Sequence, residues 1–533
     1  MRIEPATDSS RLAGFSLLWR PETGIFLGFW LFLMVFARER LFLDPGTFWH
    51  TRCGQIMLDE GRLIRHDPFS FSFPQHPWLP HQWLGECLMA FLYRLGEWDT
   101  LLLAAVTTLA GLYSWLAHRL IRTGWHWSLA LGLTVLVFAA SSSHFHTRPH
   151  LATMVFFGLT VASLFDVEKE RIRVARLFWL VPIYALWTNL HGGMLGGLAT
   201  IGLVWIGWCA ARLLNWPQPL KSWRDVLVVA LIILLCGLAA LANPYGWQLP
   251  QVWLTIMRLP SLTTIIDEHK PLPLNEADGI LILLLAGIYL VVLFGMRSWK
   301  EVRTSWLVPL AWLYLAWTRV RHGPLFSIAA GLAIAEMFPF TRYADAIVKK
   351  GSDLFVPPPP QTARPDWRAS LLPATLPALI VGVALCLQIA GIEVPVLGRH
   401  WARLDTSRWP TQLAQQLRNF PPGTPIFNDL NFGGYLIFFT PNLRVFIDDR
   451  CELYGNDFLL RYSRTLDDPD VLPRQFERWQ KQYPFDLALV RTGTPIDHFL
   501  SDPRNGWDCL GRTEPAALYR RRQTTQEQAT SEN

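Results

Sequence analysis

Apolar runs close to twenty residues long recur along this chain, at about 22–43, 101–117, 126–141, 151–167, 177–190, 193–211, 226–242, 279–296, 305–318, 323–338 and 371–391. A helix of roughly 20 apolar residues crosses the hydrocarbon core of a bilayer, and a chain with many such runs has few other folds open to it. Of the 533 residues 51% are hydrophobic and only 17% charged, well below the charge of a soluble domain. The pattern predicts a polytopic α-helical membrane protein with about eleven transmembrane helices. Arg2, Arg11 and Arg20 precede the first run and no small-residue cleavage pattern follows it, so that run reads as a retained span.

Charge sets the expected orientation. With the N-terminus in the cytoplasm, the inner loops hold Arg119 and Arg122, the cluster Lys169 to Arg176, Arg212 to Arg224, Arg297 to Arg303, and Arg342 to Lys350; the short outer loops hold only Arg148, Arg319 and Arg321. This bias follows the positive-inside rule. It accounts for the net charge of +6 without nucleic-acid binding. An odd number of spans places the C-terminal residues outside. The expected orientation has the N-terminus cytoplasmic and the C-terminal domain on the external face of a cell membrane.

The expected domains are a membrane domain over 1–340, with a large first external loop at 44–100, and a cytoplasmic proline-rich connector over 341–370. A last span at 371–391, an external α/β domain over 400–523 and a disordered tail at 524–533 complete the chain. Short β-like runs at 425–428, 444–448, 486–491, 507–511 and 516–519 alternate with helical patterns near 409–419, 456–465 and 470–481, as in a small α/β domain. Seven cysteines form no CxxC pair. Cys53 and Cys87 share one outer segment, and Cys451 and Cys509 another, so either pair is a candidate disulfide in an oxidising compartment.

Polar residues sort by face. The outer loops gather Asp44, His50, His81 and Glu86; His144, His146, Arg148 and His150; Asn189 and His191; Asp267, Glu268 and His269; and Arg319, Arg321 and His322. Groups able to move protons, bind phosphate or hold a metal thus converge on one side. Each has a plainer reading. Asp44-Pro45-Gly46 suits a helix start, Glu86 a solvated helix face, and Arg319 and Arg321 a headgroup anchor. Trp49, Trp78 and Trp83 suit packing at the bilayer surface, Gly433-Gly434 lacks the full dinucleotide fingerprint, and Asp448-Asp449-Arg450 suits an ion-paired turn. The conjunction outweighs any single member.

The segments Asp44-Pro45-Gly46-Thr47-Phe48-Trp49-His50, Gly61 to Ser70, Trp78 to Glu86, Arg148-Pro149-His150, Asn189-Leu190-His191-Gly192-Gly193 and Asn243-Pro244-Tyr245-Gly246 resemble bacterial polytopic proteins of the type C glycosyltransferase (GT-C) group. Phe432-Gly433-Gly434-Tyr435-Leu436 and Val445 to Arg450 resemble their soluble ends, so the resemblance spans nearly the whole chain. Gln82 stands where the group has an acidic residue, and Asp449 where it has glycine. The resemblance implies a glycosyltransferase using a polyprenyl-phosphate-linked sugar, with Asp44 as base or metal ligand and Glu86 orienting the acceptor or binding a metal. Donor phosphate and substrate would be held among Arg148, His150, His191, Arg319, Arg321 and His322, with His50, Asp267 and Glu268 near the acceptor or a divalent metal. Membrane lipids are the other expected partners. The rival is a lipid or polysaccharide transporter, or a non-catalytic scaffold. Spans nearly free of charge weigh against a transporter, which places ionisable groups deep within them.

Overall fold

The chain is described by a computed structural model over residues 19–357 and 367–522. Arg2, Arg11, residues 358–366 of the proline-rich connector and the tail at 524–533 lie outside the described residues. Among the described residues seven helices are long and apolar enough to cross a membrane: Trp83–Arg122, Trp127–His144, His150–Glu168, Met194–Leu213, Trp223–Leu241, Ala277–Phe294 and Val320–Phe340. The runs at 22–43, 177–190, 305–318 and 371–391 form helices with shorter apolar segments, among them α1 (Pro21–Phe36) and Ala374–Ile389. This is a multi-pass helical membrane protein.

Two elements of the first loop are helical. α2 (Gly46–Glu60) ends on Gly61 in the left-handed conformation, the usual stop for a helix. α3 (Trp83–Arg122) joins the expected loop helix to the following span through a kink, where Gly96 and Glu97 leave helical geometry and Glu97 has a φ of 55°. α2 and α3 cross where Gly54 meets the backbone of Glu86, and any Cβ at 54 would overlap that carbonyl.

The C-terminal domain carries a mixed five-stranded sheet in the order β2-β1-β3-β5-β4, with β1 Thr424–Asn428, β2 Leu443–Val445, β3 Leu487–Arg491, β4 Trp507–Arg512 and β5 Ala516–Arg521. β1 runs parallel to β2 and β3, while β5 is antiparallel to β3 and β4. The first loop supplies a further edge. Phe71 N–H donates to the Val445 carbonyl at 3.0 Å and Val445 N–H to that of Phe69 at 3.2 Å, covering the exposed side of β2. Phe48, Trp49, Met57, Ile64, Phe69 and Trp78 of that loop are buried in the same core as Ile426, Val445 and Leu489. Each such burial contributes roughly 1.5–3 kcal/mol, so loop and domain form one folding unit.

The apolar helix Leu430–Phe439 carries Gly433 and Gly434, and its uniform hydrophobicity hides a helical period. Neither candidate disulfide is present, since all seven cysteines are free. The spans are also less free of charge than their hydropathy suggests. At the end of the bundle away from the C-terminal domain, Arg119 pairs with Asp166 at 2.9 Å and with the buried Glu336 at 3.0 Å, and Arg171 joins both acids. Charges at the ends of apolar runs are averaged away by the residues around them.

Candidate active site

Chain geometry at the exit of the first helix builds the site. Beyond α1 a short turn, Arg40–Phe42, leads to Asp44. One of its carboxylate oxygens accepts the Gly46 N–H at 2.7 Å, and the other accepts Arg148 Nη1–H at 2.8 Å. Asp44 therefore serves the helix start and, with its other oxygen, pairs with Arg148. Glycine at 46 is required by this approach, because a Cβ there would stand 2.7 Å from the carboxylate and 3.0 Å from the guanidinium. Thr147 N–H donates to the Leu41 carbonyl at 2.9 Å, fixing the turn that presents Arg148.

These groups line a cavity of about 720 Å³ that also receives Trp49, His81, His144, His146, His191, Asp267, Glu268, Arg321, Asp449 and Glu452. Glu268 is bordered by one arginine and two histidines. Arg321 Nη1 lies 3.3 Å from it, while His269 and His144 approach at 3.8 and 3.9 Å. Burial pushes the Glu268 carboxyl up, but Arg321 and Arg148 hold it well below the usual carboxylate range. At Asp44, likewise, burial is overridden by Arg148 and His146, and the group stays ionised.

His191 follows the helix Leu180–Leu190. Its Nδ1 accepts Gly193 N–H at 3.0 Å and meets Thr153 Oγ1 at 2.8 Å, while Thr153 accepts Trp187 Nε1–H. Since the backbone N–H must donate, the neutral ring carries its proton on Nε2. Burial and the surrounding cations hold this histidine well below its ordinary value.

Other expected site residues lie elsewhere. Glu86 and His50 are fully buried and pair with each other at 2.9 Å, outside the cavity lining; the Gly54 crossing turns Glu86 inward. His150 meets the His144 carbonyl through Nε2 at 2.7 Å, and His322 faces the ring of Trp312. Neither of these, nor Arg319, lines the cavity. Asp267 is 93% exposed at the mouth and pairs with Lys270 at 2.7 Å.

Asp449, from the C-terminal domain, does line the cavity. Trp49 Nε1 donates to its Oδ1 at 2.8 Å, across 400 positions of sequence. Burial, and then the nearby charge of Asp44, push this carboxyl up to about 8, against the pull of Arg148. Its neighbours in sequence are structural. Arg450, wholly buried, bonds Asp448 through Nε and Nη2 at 2.8 and 2.7 Å and Asp67 of the first loop through Nη1 at 2.7 Å. The loop tryptophans bond inward as well: Trp78 donates to Glu452 and Trp83 to Asn189, both at 2.8 Å. Among the described residues no group of three or more His, Cys, Asp or Glu stands close enough to hold a metal ion.

A second, apolar groove of about 890 Å³ opens between α1 and α4 (Trp127–Ser141). Gly28, Phe29, Phe32, Leu131 and Phe138 line it, and Arg40 borders both this groove and the polar cavity.

No protein-family model matches the chain, and no curated protein matches it in sequence. Solved structures do match in fold. The apo oligosaccharyltransferase of Archaeoglobus fulgidus aligns over 88% of this chain and 69% of its own, at 11% identity and a TM-score of 0.52. The oligosaccharyltransferase AglB from Archaeoglobus fulgidus, in complex with an inhibitory peptide and a dolichol-phosphate, covers 91% and 70% at 10% identity and a TM-score of 0.51. At these identities the likeness is one of fold alone.

Proposed function

We propose that the chain is an integral-membrane glycosyltransferase that moves a sugar from a polyprenyl-phosphate-linked donor to an acceptor, on the external (periplasmic) face that carries the C-terminal domain. The observation that carries this reading is the meeting of the two cavities at Arg40. An apolar groove in the flank of the bundle shares Arg40 as a border with a polar chamber that holds Arg148 and Arg321, as suits a ligand with a long hydrocarbon tail and a phosphate head. The fold likeness to a protein solved with a dolichol-phosphate supports the same ligand class.

In this reading the tail lies along α1 and α4, and the phosphate takes charge-assisted bonds from Arg148 and Arg321. Arg148 Nε is buried without a partner, which leaves it a donor to offer. His191 adds its Nε2 proton. A cavity carboxylate receives the acceptor's proton as the sugar's anomeric carbon is attacked, and the lipid phosphate departs with inversion. Fixed donors at the phosphate stabilise the charge that grows there. The test is mass spectrometry of lipid extracted from the purified full chain. A bound polyprenyl phosphate or its sugar conjugate is the expected result, and bulk phospholipid alone would overturn the reading.

A further inference from the structure

We propose that Asp449, carried into the cavity by the C-terminal domain, is the group that takes the acceptor's proton, and that Asp44 positions Arg148 instead. This rests on the glycosyltransferase reading and assigns a role within it.

Bonding separates the two carboxylates. Both oxygens of Asp44 are committed, one to the Gly46 N–H and one to Arg148. At Asp449 only Oδ1 is committed, to Trp49, and no side-chain bond to Oδ2 is formed among the described residues. A base needs an accessible lone pair facing the substrate; each Asp44 oxygen already accepts a hydrogen bond, one of them from a guanidinium, whereas Asp449 Oδ2 accepts no side-chain bond among the described residues. Basicity points the same way. An ionised carboxylate locked to a guanidinium is a weak base, whereas one raised towards neutrality is matched to proton transfer near working pH. The charged groups facing Asp449 are Asp44 and Arg148 from the membrane domain and Asp448 from its own turn, the last neutralised by Arg450; Glu452 and Glu268 lie further round the wall.

The step balances simply. The acceptor's O–H bond breaks and its proton passes to Asp449 Oδ2. The acceptor oxygen bonds the anomeric carbon, and the bond from that carbon to the phosphate oxygen breaks with its electron pair leaving on polyprenyl phosphate. Domain docking is then part of catalysis, because the membrane helices alone lack the proton acceptor.

The test uses the full chain in nanodiscs and reads the neutral-carboxyl stretch in infrared difference spectra across pH. The wild type should show a band that disappears around pH 8. D449N should lack it, D449E should keep a titrating band, and in D44N its midpoint should move down, since the charge raising it is gone. A titrating band that survives D449N and vanishes in D44N overturns the proposal. Donor cleavage is read in the same nanodiscs as release of undecaprenyl phosphate from a panel of synthetic undecaprenyl-phosphoryl hexoses and pentoses. It should rise with pH through that midpoint, fall about 100-fold or more in D449N and recover in part in D449E; wild-type cleavage by D449N overturns the proposal. A wild type that cleaves none of the panel counts against the glycosyltransferase reading, and the infrared band then decides the proton's position alone.

Discussion

Gly434 lies directly against the Pro45 carbonyl, so close that a Cβ at 434 would overlap it. The first loop's Asp-Pro-Gly turn and the C-terminal domain therefore touch backbone to backbone at the rim of the cavity. Gly433 makes the equivalent approach to the Ile447 carbonyl and Asp448. Gly434 thus forms a docking contact with the first loop, while Gly433 packs within its own domain. Because the obstacle at 434 is main chain, it has little freedom to move aside. Gly434→Val should cost about 1–3 kcal/mol and loosen the domain, read as faster proteolysis between residues 400 and 420 and a lower unfolding temperature in detergent. Proteolysis at the wild-type rate would argue against this contact.

The Asp67–Arg450–Asp448 set ties the same two parts together through buried charge. Removing the shared cation leaves two carboxylates buried side by side, a loss of about 3–5 kcal/mol. Arg450→Met should therefore destabilise far more than Arg504→Met, whose target is an exposed pair with Asp502. Differential scanning calorimetry of both variants in detergent checks the contrast.

The same cluster gives a pH dependence. Burial raises the Asp67 carboxyl, but Arg450 and the Ser70 hydrogen bonds more than offset it, and the folded value is depressed. A depressed carboxylate stabilises fully above its unfolded pKa, about 3.9, and the contribution is lost as pH falls through the lower folded value. Docking of the first loop should hold at pH 5 and weaken progressively below about pH 4. Hydrogen exchange of the Phe69 and Phe71 amides should report this, and in Asp67→Asn the acid-dependent step should shrink.

How much of this was legible in the sequence follows from what hydropathy can and cannot carry. Asp44, Arg148, His191, Glu268 and Arg321 stand out because a run able to cross a bilayer forces the polar residues between runs onto alternating faces. Arg40 does not, since it lies inside the first apolar run. Asp449 reads as an ordinary turn acid until the fold brings it to Trp49 from 400 positions away. Glu86 was visible as a polar residue, but the direction of its side chain depends on Gly54 in another helix. Sequence periodicity places a residue on a helix face; which face is buried depends on the neighbour.

Arg148 and Asp44 should separate binding from chemistry. Arg148→Leu removes a charge-assisted donor worth about 1.5–3 kcal/mol, so undecaprenyl phosphate should bind roughly 10- to 100-fold more weakly. Asp44→Asn frees the same guanidinium without removing it, so that lipid should bind as well as before or better, while sugar transfer falls through lost positioning of Arg148 and membrane insertion is intact. Microscale thermophoresis with undecaprenyl phosphate, alongside a transfer assay, distinguishes the two. Full transfer by Asp44→Asn would remove this residue from the site.

The groove between α1 and α4 yields a prediction independent of the polar chamber. Gly28 lines it, and a Cβ there would meet nothing within 4 Å, so the helix accepts a side chain at this point without a backbone clash. Gly28→Trp would fill groove volume that an isoprenoid tail needs. Each methylene kept out of an apolar site forfeits about 0.8 kcal/mol, and excluding two or more of them weakens binding about 10-fold or more. Undecaprenyl phosphate should therefore bind at least that much more weakly to Gly28→Trp. The unfolding temperature should stay near that of the wild type, and a short-chain polyprenyl phosphate too small to reach position 28 should bind equally to both. Equal binding of the long lipid to the variant would show that its tail runs elsewhere on the bundle, and the meeting of the two cavities at Arg40 would then lose its meaning as an entry for donor.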